Sequence, residues 1–176
     1  VATATRAIVD AATAASAHVT VACTRKNVPG TKRFAVAAVR AGGGVMHRLG
    51  LSETVLVFPE HRAFLGGEPL GAAVERLRLG ASEKRLVIEV TTVEAAAAAA
   101  DAGFDVIQLE KLAPAEIATL VERLATARRR PVIAAAGGIS ADNAAAYARA
   151  GVDVLVTSSP YLARPRDVQV RIAPQS

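Results

Sequence analysis

The stretch "PVIAAAGGISADNAAAYARAGVDVLVTSS", residues 131–159, decides the fold. "PVIAAA" (131–136) is an apolar run, too short for a stable helix and closed by Gly137-Gly138, so it reads as a strand. Residues 141–150 are rich in alanine and read as a helix, and "DVLVTS" (153–158) is a second apolar strand. Strand, helix and strand with such short connections form a parallel pair with a right-handed crossover.

The same unit recurs along the chain. Strands are expected at 18–24, 53–58, 85–90 and 105–110, and helices at 3–16, 32–41, 69–79, 92–102 and 114–129. The helix at 114–129 opens with Pro114 and ends in cations, as a helix dipole favours. The strands are nearly continuous apolar runs, as expected of parallel strands covered on both faces. The alternation predicts one α/β domain over 1–176, either an incomplete (β/α) barrel of about six parallel strands, TIM-barrel-like, or an open doubly wound sheet. Both place ligands at the carboxyl ends of the strands.

Composition narrows the function. The chain of 176 residues is 52% hydrophobic and 21% charged, with a net charge of +5, which suits a globular protein that prefers anions or has an Arg-rich solvated surface. It has no Trp, two Tyr and four Phe, too few aromatic platforms for single-stranded nucleic acid. Three His and one Cys show no zinc spacing. No G-x-S-x-G elbow marks a serine hydrolase, and no Lys falls within an expected strand to form a Schiff base. The alanine run Ala95–Ala100 is too short for membrane insertion. Cys23 reads as a buried structural thiol. A lone cysteine and the lack of a recognisable signal segment set a cytoplasmic expectation. The chain opens at Val1 rather than Met, so further N-terminal sequence is expected.

The strand ends carry the chemistry. Thr24, Arg25 and Lys26 follow the first strand, and His47 and Arg48 follow the helix after it, within "GGGVMHRLG". These cations suit a carboxylate or phosphate, although solvated surface loops would look the same. Glu89 interrupts "LVIEV", where a carboxylate needs a polar pocket or a partner charge. It could hold ribose hydroxyls, coordinate Mg2+ or stabilise a developing cation, and Glu110 could share that work; a structural ion pair is the plain alternative. Gly137-Gly138 and Thr157-Ser158 form candidate phosphate loops, with Ser140 or Asp142 as a helix cap; a tight turn explains the glycines equally well.

Six motifs together resemble the quinolinate phosphoribosyltransferase family: "TRKNVPG" (24–30), "AVRAGGGVMHRLGLSE" (38–53), "VIEV" (87–90), "IQLEKL" (107–112), "AAGGIS" (135–140) and "GVDVLVTS" (151–158). Within it, "PGTK", "HRLGLSETVLVFPEHRAFLG" and "LVTSSPYLARPRDVQV" look like the branch associated with molybdenum transport genes. The resemblance implies an incomplete barrel of six or seven strands. It also implies an N-terminal α/β sandwich domain, absent here, and a homodimer or higher oligomer whose partner covers the barrel mouth. It implies a pyrophosphorylase that joins an aromatic acid to phosphoribosyl pyrophosphate with Mg2+. In quinolinate enzymes the ring then loses CO2. On this template Arg25, Lys26, His47 and Arg48 bind the acid and Gly137 and Gly138 bind phosphate; by their places at the strand ends Thr24 joins the acid-binding set and Thr157 and Ser158 the phosphate-binding set. Lys26, Glu89 and Glu110 are the catalytic candidates, with Glu89 and Glu110 also the possible Mg2+ ligands.

Five positions depart from the family pattern. Phe58 stands where quinolinate-using relatives carry a Lys, and Glu110-Lys111 where they carry Asp-Asn. Ala136 replaces a Ser, and Ser158 a Gly. A different ring acid, or a degenerate barrel that only binds its ligand, is therefore also open.

Overall fold

The computed structural model describes residues 1–127, 129–165 and 167–174. Helix α1 (Ala2–Thr13) precedes β1 (Thr20–Cys23), α2 (Lys32–Ala41), β2 (Val45–Met46), β3 (Thr54–Val57) and α3 (Pro59–Arg62). Then follow α4 (Leu70–Gly80), β4 (Arg85–Val90), α5 (Val93–Ala102), β5 (Val106–Glu110), α6 (Pro114–Leu124), β6 (Val132–Ala136), α7 (Ala144–Arg149) and β7 (Val154–Thr157). A short 3-10 turn, Ser159–Leu162, follows β7.

The seven strands form one parallel sheet in the order β2-β1-β7-β6-β5-β4-β3. That order runs once around in sequence, with β1 paired to β7 and no reversal point as in a doubly wound sheet, and β2 and β3 are left as edges, so the sheet is an incomplete barrel, as expected. Side-chain alternation gives it two faces. Leu86, Ile88, Ile107, Leu109, Ile133 and Leu155 point outward and join the core formed with the helices, through Ile8, Ile117, Leu120 and Tyr147. The intervening residues, including Ala134, Ala136 and Val156, form a smaller inner cluster. Alanine on this inner face leaves room for a cleft.

The structure adds a seventh strand to the six read from the sequence. Val45-Met46 was expected as part of a glycine loop, because a two-residue strand behind three glycines has no detectable periodicity. It pairs with β1 through Ala22↔Val45 and Cys23↔Met46. The glycines before it let α1 approach: a Cβ on Gly42 would sit 2.6 Å from the Ala2 carbonyl, and one on Gly44 2.8 Å from Thr5 Cγ2.

Two helix readings are corrected. Helix α6 stops at Leu124, not at 129. The cations beyond it serve strand starts instead: Arg129 pairs with Asp105 at 2.6 Å, and Arg130 with Asp153 at 2.8 Å. The carboxylates in turn accept backbone N–H bonds from Leu86 and Ile133. Arg128 lies outside the described residues. Helix α7 begins at Ala144, and neither Ser140 nor Asp142 caps it. Instead the Ser140 and Asp142 amides donate to Asn143 Oδ1 and Ser140 Oγ, closing a turn. His18 precedes the strand it was expected to begin. Cys23 is a buried free thiol, and burial pushes its pKa up.

Candidate functional site

The inner face opens into a cleft of about 660 Å³ at the carboxyl ends of the strands. Every candidate residue borders it: Thr24, Arg25 and Lys26 after β1; His47 and Arg48 after β2; Glu89 on β4; Glu110 on β5; Gly137 and Gly138 after β6; Thr157 and Ser158 at β7. Strand polarity explains the gathering, since parallel strands deliver all their carboxyl ends to one rim.

Each wall has a local cause. The β1 loop leaves the sheet at Thr24, whose amide donates to the Thr157 carbonyl at 2.9 Å. Its carbonyl accepts from the Tyr161 hydroxyl at 2.8 Å, so the 3-10 turn after β7 clamps the base of the Arg25-Lys26 loop. Burial, together with the nearby Cys23, pushes the Tyr161 phenol up to about 12. The loop then turns at Gly30, in the left-handed conformation at φ 80°, into α2. His47 extends the β2 ladder, its amide donating to the Cys23 carbonyl at 2.8 Å. Burial lowers the His47 pKa, and the charges of Arg48 and Arg25 lower it further. Arg48 is shifted down by burial and by Arg25. These cations stand close enough to repel one another, an arrangement that an anion would relieve.

The β4–β5 wall is acidic. Glu89 Oε2 accepts from Gln108 Nε2 at 2.6 Å, so the partner expected for this carboxylate is an amide rather than a charge. Burial raises the Glu89 pKa and the Gln108 bond opposes the rise; Glu110 pushes the same way as burial. Among the described residues no three His, Cys, Asp or Glu side chains gather as a metal site. Glu89 and Glu110 are the two carboxylates of the cleft that could hold a Mg2+ ion, which often takes few protein ligands and keeps its waters.

Gly137 and Gly138 both adopt positive φ, 88° and 76°. A Cβ on Gly137 would come 2.8 Å from Glu110 Oε1, so the glycine lets the carboxylate lie against the loop. Thr157 has a bracing part in this loop: its hydroxyl donates to the Ile139 carbonyl at 2.7 Å and accepts from the Ser159 amide. Ser158 and Ser159 border the cleft beside it.

Gln108 and Lys111 also border the cleft; the sequence places Gln108 at a strand end beside Glu110, but neither residue was assigned a role. Gln108 falls at an inward position of β5, which strand alternation could have indicated. Lys111 holds φ 59°, the single left-handed non-glycine residue among those described. Left-handed backbone in a long side chain is uncommon and concentrates at functional sites. Phe58, the departure at the end of β3, forms part of the cleft wall. His61 instead accepts from the Phe58 amide through Nδ1 at 3.0 Å.

Charge is handled differently at the two ends of the sheet. At the strand starts, Asp105 and Asp153 are paired with Arg78, Arg129 and Arg130. Among the described residues, no ion pair engages Arg25, Lys26, Arg48, Glu89 or Glu110. Structural charge is neutralised at one end, and the charge around the cleft is left available.

Comparison with known proteins agrees with this geometry. Residues 1–171 match the family model for the quinolinate phosphoribosyl transferase C-terminal domain. The chain belongs to the quinolinate phosphoribosyltransferase family. A ModD protein of Rhodobacter capsulatus is 52% identical over 145 residues, covering 82% of this chain and 56% of that protein. The nicotinate-nucleotide pyrophosphorylase of Francisella tularensis superposes with a TM-score of 0.79 at 28% identity, over 90% of this chain and 54% of that one. NadC from Streptococcus pyogenes gives 0.78 at 30% identity, over 90% and 53%. The chain thus spans about half the length of the quinolinate phosphoribosyltransferase relatives it matches. The described residues contain no helix long and apolar enough to cross a membrane.

Proposed function

We propose that the protein is a pyrophosphorylase that transfers phosphoribose from phosphoribosyl pyrophosphate to a ring nitrogen of an aromatic carboxylic acid, quinolinate or an analogue. The observation that carries this reading is one cleft with three kinds of wall: cations after β1 and β2, carboxylates on β4 and β5, and a glycine–hydroxyl rim after β6 and β7. In the reaction the ring nitrogen lone pair forms a bond to ribose C1. The bond from C1 to pyrophosphate breaks, and its electron pair leaves on the pyrophosphate oxygen. Positive charge builds on the sugar, where Glu89 and Glu110 stabilise it; negative charge builds on the leaving group, where cations and backbone amides receive it. Arg25, Lys26, His47 and Arg48 hold the acid, with Thr24 fixing the base of their loop. Lys26 also faces the reacting centre, and Gly137, Gly138 and Ser158 frame the phosphate. A Mg2+ ion on the pyrophosphate, near Glu89 and Glu110, would offset its charge.

The same reading takes the protein to work as a homodimer or higher oligomer in the cytoplasm on small anionic substrates, without nucleic acid. A link to molybdenum metabolism follows the branch that the sequence resembles. The test is pyrophosphate release from phosphoribosyl pyrophosphate, Mg2+ and a panel of pyridine and related ring acids. Release with one acid, lost in Glu89→Gln, is expected; a folded oligomer that releases none with any acid refutes the transferase. Phe58 in the cleft wall favours a second reading, a degenerate barrel that binds a phosphorylated ligand or oxyanion as a sensor. Calorimetric binding without turnover would mark that outcome.

A further inference from the structure

We infer that Gln108 is a specificity-determining residue that accepts a hydrogen bond from a neutral hydroxyl of the ligand's sugar; this rests on the phosphosugar reading above. Gln108 is only 5% exposed, yet it borders the cleft. Its Nε2 donates to Glu89, while its Oε1 is buried without any partner. Sheet register explains the imbalance. The row neighbours of Gln108 are Glu89 on β4 and Ala134 on β6. Glu89 occupies the amide N–H, and Ala134 offers only a methyl.

Buried acceptors are nearly always satisfied, so an unmet one in the wall of a cleft points to a ligand donor. Reversing the amide does not remove the problem. It would turn the oxygen towards Glu89, which would then have to be protonated, and leave the NH2 group unmet instead. The surroundings select the class of donor. Glu89 and Glu110 are acceptors on the same inner face, so this part of the floor repels phosphate and carboxylate. Those groups find donors at Arg25, Lys26 and Arg48. A sugar diol fits between: one hydroxyl donates to Glu89 and another to Gln108 Oε1. A site that has buried an acceptor for a hydroxyl discriminates against ligands lacking it, because the acceptor is then left without a partner.

Calorimetry on the full-length protein tests this with ribose 5-phosphate, its 2-deoxy and 3-deoxy analogues, and inorganic pyrophosphate. The wild type should bind ribose 5-phosphate roughly tenfold more tightly than at least one deoxy analogue, the scale of one hydrogen bond. Gln108→Met, similar in length but without the amide, should abolish that penalty for one analogue and leave pyrophosphate affinity within about twofold. If Gln108→Met melts early, Gln108→Asn withdraws the oxygen while keeping the polarity, with the same expected loss. A variant that keeps both wild-type ratios overturns the inference. So does a wild type that binds pyrophosphate but ranks the three sugars alike, an outcome that leaves the anion cleft intact. A wild type that binds neither sugar nor pyrophosphate refutes the transferase reading and this one together.

Discussion

Gly44→Ala tests how the approach of α1 to the sheet sets up the cationic wall. Gly44 has no positive φ, so alanine suits its backbone and the effect is steric alone. The new Cβ would stand 2.8 Å from Thr5 Cγ2 and 3.3 Å from both the Val21 carbonyl and Val39 Cγ1. Thr5 is fully buried and Val39 likewise, so neither can swing away. Overpacking of this kind costs about 1–3 kcal/mol. For a chain of this size each kcal/mol lowers the melting temperature by about 2–4 °C, giving a drop of roughly 2–12 °C. The strain should also reach the cleft, because β2 and His47 follow directly, and pyrophosphate should bind more weakly. Thr5→Ser removes the Cγ2 methyl and keeps the hydroxyl that donates to the Val1 carbonyl at 3.1 Å. Alone it should cost about 1 kcal/mol for the lost buried methyl. Combined with Gly44→Ala it should restore stability beyond the sum of the two, with coupling of about 0.5–3 kcal/mol. Urea unfolding of all four proteins measures the cycle. Additive effects, or a Gly44→Ala protein as stable as the wild type, would refute this account of the glycines.

Three further outcomes follow from the cleft. Arg25→Ala should weaken pyrophosphate binding by at least about tenfold, the scale of a charge-assisted bond, with a nearly unchanged melting temperature, because Arg25 is exposed and makes no ion pair among the described residues; an unfolded variant would make Arg25 structural. Tyr161→Phe should cost about 1 kcal/mol for the lost bond to the Thr24 carbonyl and loosen the cation loop, seen as weaker anion binding. His47 is held below its ordinary pKa by burial and by Arg48 and Arg25. The unfolded chain therefore takes up this proton first, so stability should fall as pH drops below about 6.5. The urea midpoint of His47→Gln should depend less on pH between 7.5 and about 5.5; an identical slope would remove His47 as the cause.

The sequence by itself determined the βα alternation, the parallel sheet and the rim on which the candidate residues gather. These depend on local periodicity and on strand polarity, which one chain carries openly. Arg25, Glu89, Glu110 and Gly137 were legible for the same reason: each breaks an apolar pattern at a strand end. What tertiary structure decided is what depends on neighbours across the sheet. Strand β2 is too short to have a period and exists because β1 offers it a ladder. Arg129 and Arg130 read as a helix terminus, yet they neutralise aspartates distant in sequence. Gln108 looked like one polar residue in a strand. Only its row, with Glu89 on one side and Ala134 on the other, shows that the oxygen half of its amide is left without a partner.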